Sequence, residues 1–214
     1  MSTVDQLASI PLLRMLDDPN LASLAEVATT RHFRKKTIVL SQDDETDAVY
    51  FVIEGKVRVF RDSDSGNEVT LNILDVGEYF GEMALISKGL RVASVETLED
   101  TVLVCVARSV FMQHVEDSAQ IAWQMCADII EKMRSATLNA SSFALLDVRG
   151  RVLRTLEINA VDENGKSVVE GITHQDIANL VGASRETVSR TLKELREAGE
   201  IETAGRSIIV KSGH

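Results

Sequence analysis

The 214-residue chain is poor in cysteine, proline and aromatic side chains, with two Cys, two Pro and 4% Phe, Trp and Tyr together. Cys105 and Cys126 are too few for a four-thiolate iron–sulfur cluster, and no C-x-x-C spacing surrounds them. Both read as small buried apolar residues, and no metal site is expected. No run approaches the roughly 18 apolar residues of a membrane span. The opening MSTVDQLASIPLLRMLDD carries acidic groups where a signal peptide carries basic ones, so a cytoplasmic location with no membrane partner is expected. No nucleophile–base pair or metal-ligand cluster is apparent, which leaves no catalytic residue to name and argues against an enzyme.

Positive charge is also in deficit. The formal net charge is −10, which at first opposes binding to nucleic acid. The imbalance is local, however: residues 1–144 hold 13 Lys and Arg against 22 Asp and Glu, whereas residues 145–214 hold 10 against 11. A nearly neutral C-terminal part leaves room for a basic surface there.

Short β-rich runs follow one another at Ile38–Leu40, Val49–Ile53, Val57–Phe60, Val69–Leu74, Ala93–Leu98 and Val102–Val106, with Gly55, Gly66, Gly77 and Gly89 between them. That spacing predicts an antiparallel sandwich or jelly roll. Leu12, Leu13, Leu16, Leu21, Leu24 and Val27 predict short amphipathic helices before it. From Ser118 to Phe143 there is no Gly or Pro, and a stripe at Ala122, Cys126, Ile129, Met133, Ala136, Ala140 and Phe143 has the 4-3 steps of a coiled-coil seam. Two readings fit it: a helix packed on its own domain, or a parallel seam between two copies, which makes the protein a homodimer. After Asp147 come a helix at Arg149–Asn159, a polar turn at Asp162–Lys166, two further helices and a terminal hairpin. The fold class is therefore α+β: residues 1–143 form an N-terminal β-roll with a long dimerisation helix, and residues 144–214 a C-terminal winged helix-turn-helix.

Two segments carry chemistry. In Phe80-Gly81-Glu82-Met83-Ala84-Leu85-Ile86-Ser87-Lys88-Gly89-Leu90-Arg91-Val92-Ala93-Ser94, Gly81 permits close backbone approach, and a short helix from Glu82 turns free N–H groups toward an anion. Arg91 can grip phosphate oxygens as a fork, while the Glu82 carboxylate accepts from a sugar hydroxyl and repels phosphate. Read alone, the pair also fits a structural ion pair. The second segment runs from Ile172 to Leu195. Thr173 with Asp176 can cap one helix, Gly182 sits in the turn, and Ser184 can cap the next. On that second helix Val188, Leu192 and Leu195 share an inward arc, and Arg185, Glu186, Ser189 and Arg190 an outward one. Arg suits guanine and Glu suits cytosine in a major groove, although a solvated charged face has the same pattern.

The first segment resembles the phosphate-binding cassette of cyclic nucleotide-binding domains, F-G-E-x-A-L before R-x-A-[ST], at the spacing of the cyclic-AMP-dependent protein kinase regulatory subunits. The second, with Phe143–Arg151 as a hinge, resembles the cyclic AMP receptor protein (catabolite activator) family of bacterial transcription regulators. Together the likenesses cover nearly the whole chain, with Asp43 where the family usually has a glycine turn. The resemblance implies a cyclic nucleotide effector, with Glu82 on the ribose 2′-hydroxyl, Arg91 on the cyclic phosphate, and Gly81, Met83, Val92 and Ala93 lining the site. It implies that Thr137 contacts the purine across the dimer, with Ala136 in place of a second hydroxyl. Val92 cannot hydrogen-bond where cyclic GMP sites resemble R-T, which favours cyclic AMP; cyclic GMP, cyclic di-GMP or a ligand-free regulator are the alternatives. For double-stranded DNA it implies base contacts from Arg185, Glu186 and Arg190 to a palindromic TGTGA-like site. Thr173, Gln175, Ser184 and Thr187 would hold phosphates, with Ser189 on the same face. RNA polymerase is an implied partner through the loop around Val161–Gly171. His32 and His114 could bind haem only if a pocket assembled around them, and read as solvated or core residues.

Overall fold

The computed structural model describes residues 2–45, 47–62, 68–87, 89–163, 165–205 and 207–211. Gly66, Lys88, Asn164 and Arg206, which the sequence places in turns, the cassette and the wing, lie outside the described residues. The chain forms two compact units, Met1–Arg61 with Thr70–Met133 and Asp62–Val69 with Arg134–His214.

The N-terminal unit contains helices α1 (Thr3–Ala8) and α2 (Asp18–Val27), strands β1 (Thr29–Phe33), β2 (Ile38–Leu40), β3 (Ala48–Glu54) and β4 (Val57–Asp62), then β5 (Glu68–Leu74), β6 (Tyr79–Phe80), helix α3 (Glu82–Ser87), β7 (Ser94–Thr97), β8 (Thr101–Ala107) and α4 (Arg108–Asp117). The strands form two four-stranded sheets, in the orders β1-β8-β3-β6 and β2-β7-β4-β5. The pairs β1–β8, β3–β8, β3–β6, β2–β7 and β4–β7 are antiparallel.

β3 explains the layering. Its apolar run is buried on both faces, so it cannot alternate apolar with polar. Val49, Phe51 and Ile53 pack with Leu7, Leu13, Leu24 and Phe111 of the helical layer, while Tyr50 and Val52 join Leu40, Val57, Leu74, Phe80 and Val95 between the sheets. Tyr50 stacks on Phe80 across the register pair at 5.2 Å between ring centroids. Asp43 takes φ +65°, the left-handed conformation a glycine turn would adopt. Its N–H donates to the Arg91 carbonyl, and the Arg91 N–H donates to the Asp44 carbonyl. The departure at Asp43 thus leaves the turn intact and ties it to the cassette.

Helix α5 (Ala119–Leu145) is continuous. The second unit continues with α6 (Val148–Asn159), β9 (Val161–Glu163), β10 (Lys166–Val169), α7 (His174–Val181), α8 (Arg185–Glu197), β11 (Ile201–Ala204) and β12 (Ser207–Val210). These strands make one sheet, β11-β12-β10-β9. Its core joins Val152 and Leu156 of α6, Ile177, Ala178 and Val181 of α7, Val188, Leu192 and Leu195 of α8, and Ile201, Ile208 and Val210 of the terminal hairpin. The segment read as a polar turn, Asp162–Lys166, is a hairpin: Asp162 and Glu163 end β9 and Lys166 begins β10. Lys166 pairs with Glu163 and Ser167 with Asp162, and the other edge of β10 pairs with β12 from Ser167 to Val169.

Phe51 is fully buried and contacts both the Tyr79 and Phe111 rings. Phe51→Ala should cost the N-terminal unit about 3–5 kcal/mol, read as a lower urea midpoint for its transition.

Candidate functional site

Gly81 precedes α3 with φ +91°, and a Cβ there would sit 2.8 Å from Arg91 Nη1 and 3.0 Å from the Ala48 carbonyl oxygen. The bare backbone lets the guanidinium close in. Arg91 Nη1 donates to the Gly81 carbonyl and Nη2 to the Ala48 carbonyl, each at 2.7 Å. The fork is held by main chain from two strand ends, and the residue is only 3% exposed. Burial pushes its pKa below the ordinary arginine value, against the opposing influence of Tyr50, Glu82, Asp47 and Cys105. An anion arriving at this cation would reduce the cost of burying it.

Glu82, the first residue of α3, is 6% exposed. Its Oε1 accepts from Lys132 Nζ at 2.9 Å, and the same ammonium donates to the Tyr79 carbonyl at 3.2 Å and lies 4.5 Å above the Tyr79 ring. The Tyr79 hydroxyl donates to Asp128 Oδ2 at 3.0 Å, and Gln124 Nε2 donates to Asp128 Oδ1 at 2.8 Å. Burial, with the Asp128 carboxylate beside it, holds the Tyr79 phenol protonated well above the ordinary tyrosine range. Gln124, Asp128 and Lys132 recur every fourth residue on one face of α5; Asp128 and Lys132 hold the strand that precedes the cassette, and Gln124 braces Asp128. Met83 and Val92 are exposed, and Ala93 is half-buried.

The opposite face of α5 is apolar and open. Trp123, Ile130 and Met133 are 78%, 65% and 64% exposed, whereas Ile121 and Met125 are buried. Trp123, Cys126, Ile130, Met133, Thr137 and Ala140 fall within an arc of about 100° in 3-4 steps. Cys126, Met133 and Ala140 of the expected stripe lie on this arc, Ala136 and Phe143 are exposed as well, and Trp123, Ile130 and Thr137 extend the arc on its other side. Ala122 and Ile129 are half-buried at its flank, because the Asp128 and Lys132 anchors fix which face turns inward. Cys126 is likewise exposed, not buried, since it lies on that outer arc; Cys105 is half-buried in β8.

In the second unit Thr173 caps α7: its hydroxyl accepts from the Asp176 N–H, and Asp176 returns a bond to the Thr173 N–H. Gly182 ends α7 at φ +61°, and a Cβ on it would come within 3.0 Å of the Phe143 ring. Arg151 locks the same corner, donating to the carbonyls of Val181 and Leu146 with its guanidinium 5.1 Å from the Phe143 ring centre. Ser184 caps α8 through the Thr187 N–H. Val188, Leu192 and Leu195 are buried and Arg185, Glu186 and Arg190 exposed, so the outward arc carries two guanidinium groups and a carboxylate. Ser189 differs from expectation: it is half-buried, its hydroxyl 2.8 Å from His174 Nδ1. Gln175 is exposed and donates to Asn179.

Residues 30–118 match the cyclic nucleotide-binding domain model, and residues 150–212 match the Crp-like helix-turn-helix domain model. The chain belongs to the cyclic AMP receptor protein family. It is a cyclic-nucleotide-responsive, DNA-binding transcription regulator. It is 34% identical over 173 residues to the cyclic AMP receptor protein of Thermus thermophilus, covering 81% of this chain and 79% of that one. It is 29% identical over 208 residues to the cAMP-activated global transcriptional regulator Vfr of Pseudomonas aeruginosa, covering 94% of this chain and 95% of Vfr. The structure of CLP from Xanthomonas campestris, a c-di-GMP-responsive global regulator, superposes with a TM-score of 0.78 at 26% identity over 92% of this chain and all of CLP.

For this regulator, the sequence reading missed Lys132, Asp128 and Gln124, which lie far from the cassette in the chain; only their four-residue spacing on one helix face could have drawn attention to them. His32 is exposed on β1. His114 has Nδ1 2.9 Å from the Val110 carbonyl and Nε2 3.0 Å from Ser23 Oγ. Among the described residues no cluster of His, Cys, Asp or Glu could hold a metal ion, and no helix is long and apolar enough to cross a membrane. Gly182→Ala should lower the unfolding midpoint of the winged helix, at a cost of about 1–2 kcal/mol, because the residue would be strained at positive φ as well as pressed on Phe143. Thermal unfolding followed by circular dichroism measures this.

Proposed function

We propose that this regulator is a cytoplasmic homodimer activated by cyclic AMP that binds a two-fold symmetric DNA site with TGTGA-like half-sites. The observation that carries the reading is the pair of buried ionisable groups around α3. Arg91 is aimed by two carbonyls and Glu82 is held by Lys132, a cation for a phosphate beside an acceptor for a sugar hydroxyl. A cyclic nucleotide carries one negative phosphate and a free 2′-hydroxyl, which match the two in charge and hydrogen-bonding sense. Gly81, Met83, Val92 and Ala93 complete the proposed lining. Val92 offers the base no hydrogen bond, and Thr137, on the exposed arc of α5, is the proposed purine contact across the dimer. The names of Vfr and of the Thermus receptor support cyclic AMP; the likeness to CLP favours cyclic di-GMP as the second reading.

The functional boundary is placed between residues 143 and 144, within the last turn of α5. The parallel dimer seam is the arc from Trp123 to Ala140. Arg185, Glu186 and Arg190 read bases; Thr173, Gln175, Ser184 and Thr187 face the phosphate backbone, with Ser189 bracing the interface. By family likeness the β9–β10 hairpin and the residues after it are the surface for RNA polymerase. No catalytic role is assigned to any residue.

Isothermal calorimetry with cyclic AMP, cyclic GMP and cyclic di-GMP tests the effector. Arg91→Ala should weaken the favoured nucleotide by about 1.5–3 kcal/mol, since a charge-assisted fork is lost. Equal affinity of wild type and variant, or binding of none of the three, would overturn the pocket assignment. For the seam, Ile130→Asp should convert the dimer to monomer in sedimentation, by placing two carboxylates opposite one another in an apolar contact. An intact Ile130→Asp dimer, dissociated instead by Ile129→Asp, would return the seam to the Ala122–Phe143 track.

A further inference from the structure

A cleft of about 790 Å³ opens between α8 and the β11–β12 hairpin, and the base-reading residues do not account for it. Thr173 and His174 at the start of α7 line it, with Ser189, Lys193 and Arg196 of α8 and Ser207 of β12. His174 is exposed, and its Nδ1 is bonded to Ser189 Oγ, so the ring is fixed against α8 while, among the described residues, no group bonds its Nε2. The charged groups around it are Lys193 and Arg196 from α8, Asp176 on its own helix, which is occupied by the Thr173 cap, and Glu170, which accepts from Ser207. Lys193 also lies 3.8 Å from Glu197.

We propose that His174 is a proton-linked DNA-phosphate contact, its imidazolium Nε2–H bonding a backbone oxygen that enters the cleft between α8 and the hairpin. The inference rests on the proposed seating of α8 in the major groove, which brings the flanking backbone to this cleft. Lysine and arginine hold phosphate at any physiological pH, whereas histidine changes charge between pH 5 and 8. A phosphate oxygen at Nε2 favours the charged ring. Each subunit therefore takes up a proton as it binds. The added affinity is therefore present at acidic pH and is lost as pH rises. Because the partner is backbone, the effect belongs to any DNA sequence.

The test uses the full-length protein, with cyclic AMP present and absent, and fluorescence anisotropy on a random-sequence duplex and on a duplex selected by the protein itself, from pH 6 to pH 8 at several salt concentrations. Wild type should bind both duplexes about tenfold more weakly per engaged subunit at pH 8 than at pH 6, with a salt slope shallower by about one unit per subunit at pH 8. His174→Gln should bind at every pH as wild type does at pH 8, and His174→Arg as wild type does at pH 6. A His174→Gln variant that keeps the wild-type pH slope would overturn the proposal. So would one weakened equally at all pH values, because the ring would then only brace Ser189. Failure of wild type to bind either duplex would overturn the seating of α8 itself, whereas tight binding with a flat pH profile would overturn the role of His174 alone.

Discussion

The contact between Lys132 and Glu82 decides more than its own energy. A partly exposed ion pair is weak support for stability, and this one is shared with a carbonyl and an aromatic face. Its effect is orientation. With Asp128 taking the Tyr79 hydroxyl one turn earlier, it fixes the rotation of α5 about its own axis on the N-terminal unit. Once that rotation is set, Ile121 and Met125 must face inward, and Trp123, Ile130 and Met133 must face out. The direction of the apolar arc follows from a polar anchor on the other side of the helix.

The same anchor makes Glu82 responsive to what occupies the cassette. A hydroxyl that bonds the carboxylate competes with or joins Lys132, and Lys132 belongs to the helix that carries the exposed arc. The phosphate end is organised differently. Two main-chain carbonyls accept from the Arg91 guanidinium, and its own N–H and C=O are tied to the Asp44 and Asp43 turn. At one end the cation is set against main-chain carbonyls, and at the other Glu82 of α3 is paired with Lys132 of α5. A ligand that spans both ends has differential contact with the element that would move, which any ligand-driven shift requires.

How far the residues could be read in advance follows from how local their signals are. The cassette and the helix-turn-helix were legible because glycine, acid, base, caps and apolar positions fall within single short segments. β3 was legible as an apolar run, although its burial on both faces was not. β1 was missed because Thr29-Thr30-Arg31-His32-Phe33 is a mostly exposed strand, held by its pairing with β8 and not by its own pattern. β6 has two residues and no period to detect. On α5 the adjacent Ile129 and Ile130 give two apolar tracks, and alanines at 122, 136 and 140 fit either. Only the contacts of Asp128 and Lys132, made to residues some fifty positions away, show why Ile130 is the more exposed of the two. Lys132 itself is an ordinary surface lysine to any local reading.

The acidic balance of the chain also acquires a physical meaning at the second site. Long-range attraction to DNA is set by net charge, and residues 145–214 carry almost none. Affinity there must come from where the few cations stand. Arg185 and Arg190 lie on the exposed arc of α8, and Lys193 and Arg196 line the adjoining cleft. Arg190 is 4.0 Å from Glu194, an exposed pair worth little in water and easily exchanged for a base or phosphate. Against a background of weak overall attraction, the cations of α8 act through where they stand and not through long-range steering. The preference of α8 for one DNA sequence over another then rests on the side chains that meet base edges, where each bidentate contact discriminates by about 1–3 kcal/mol.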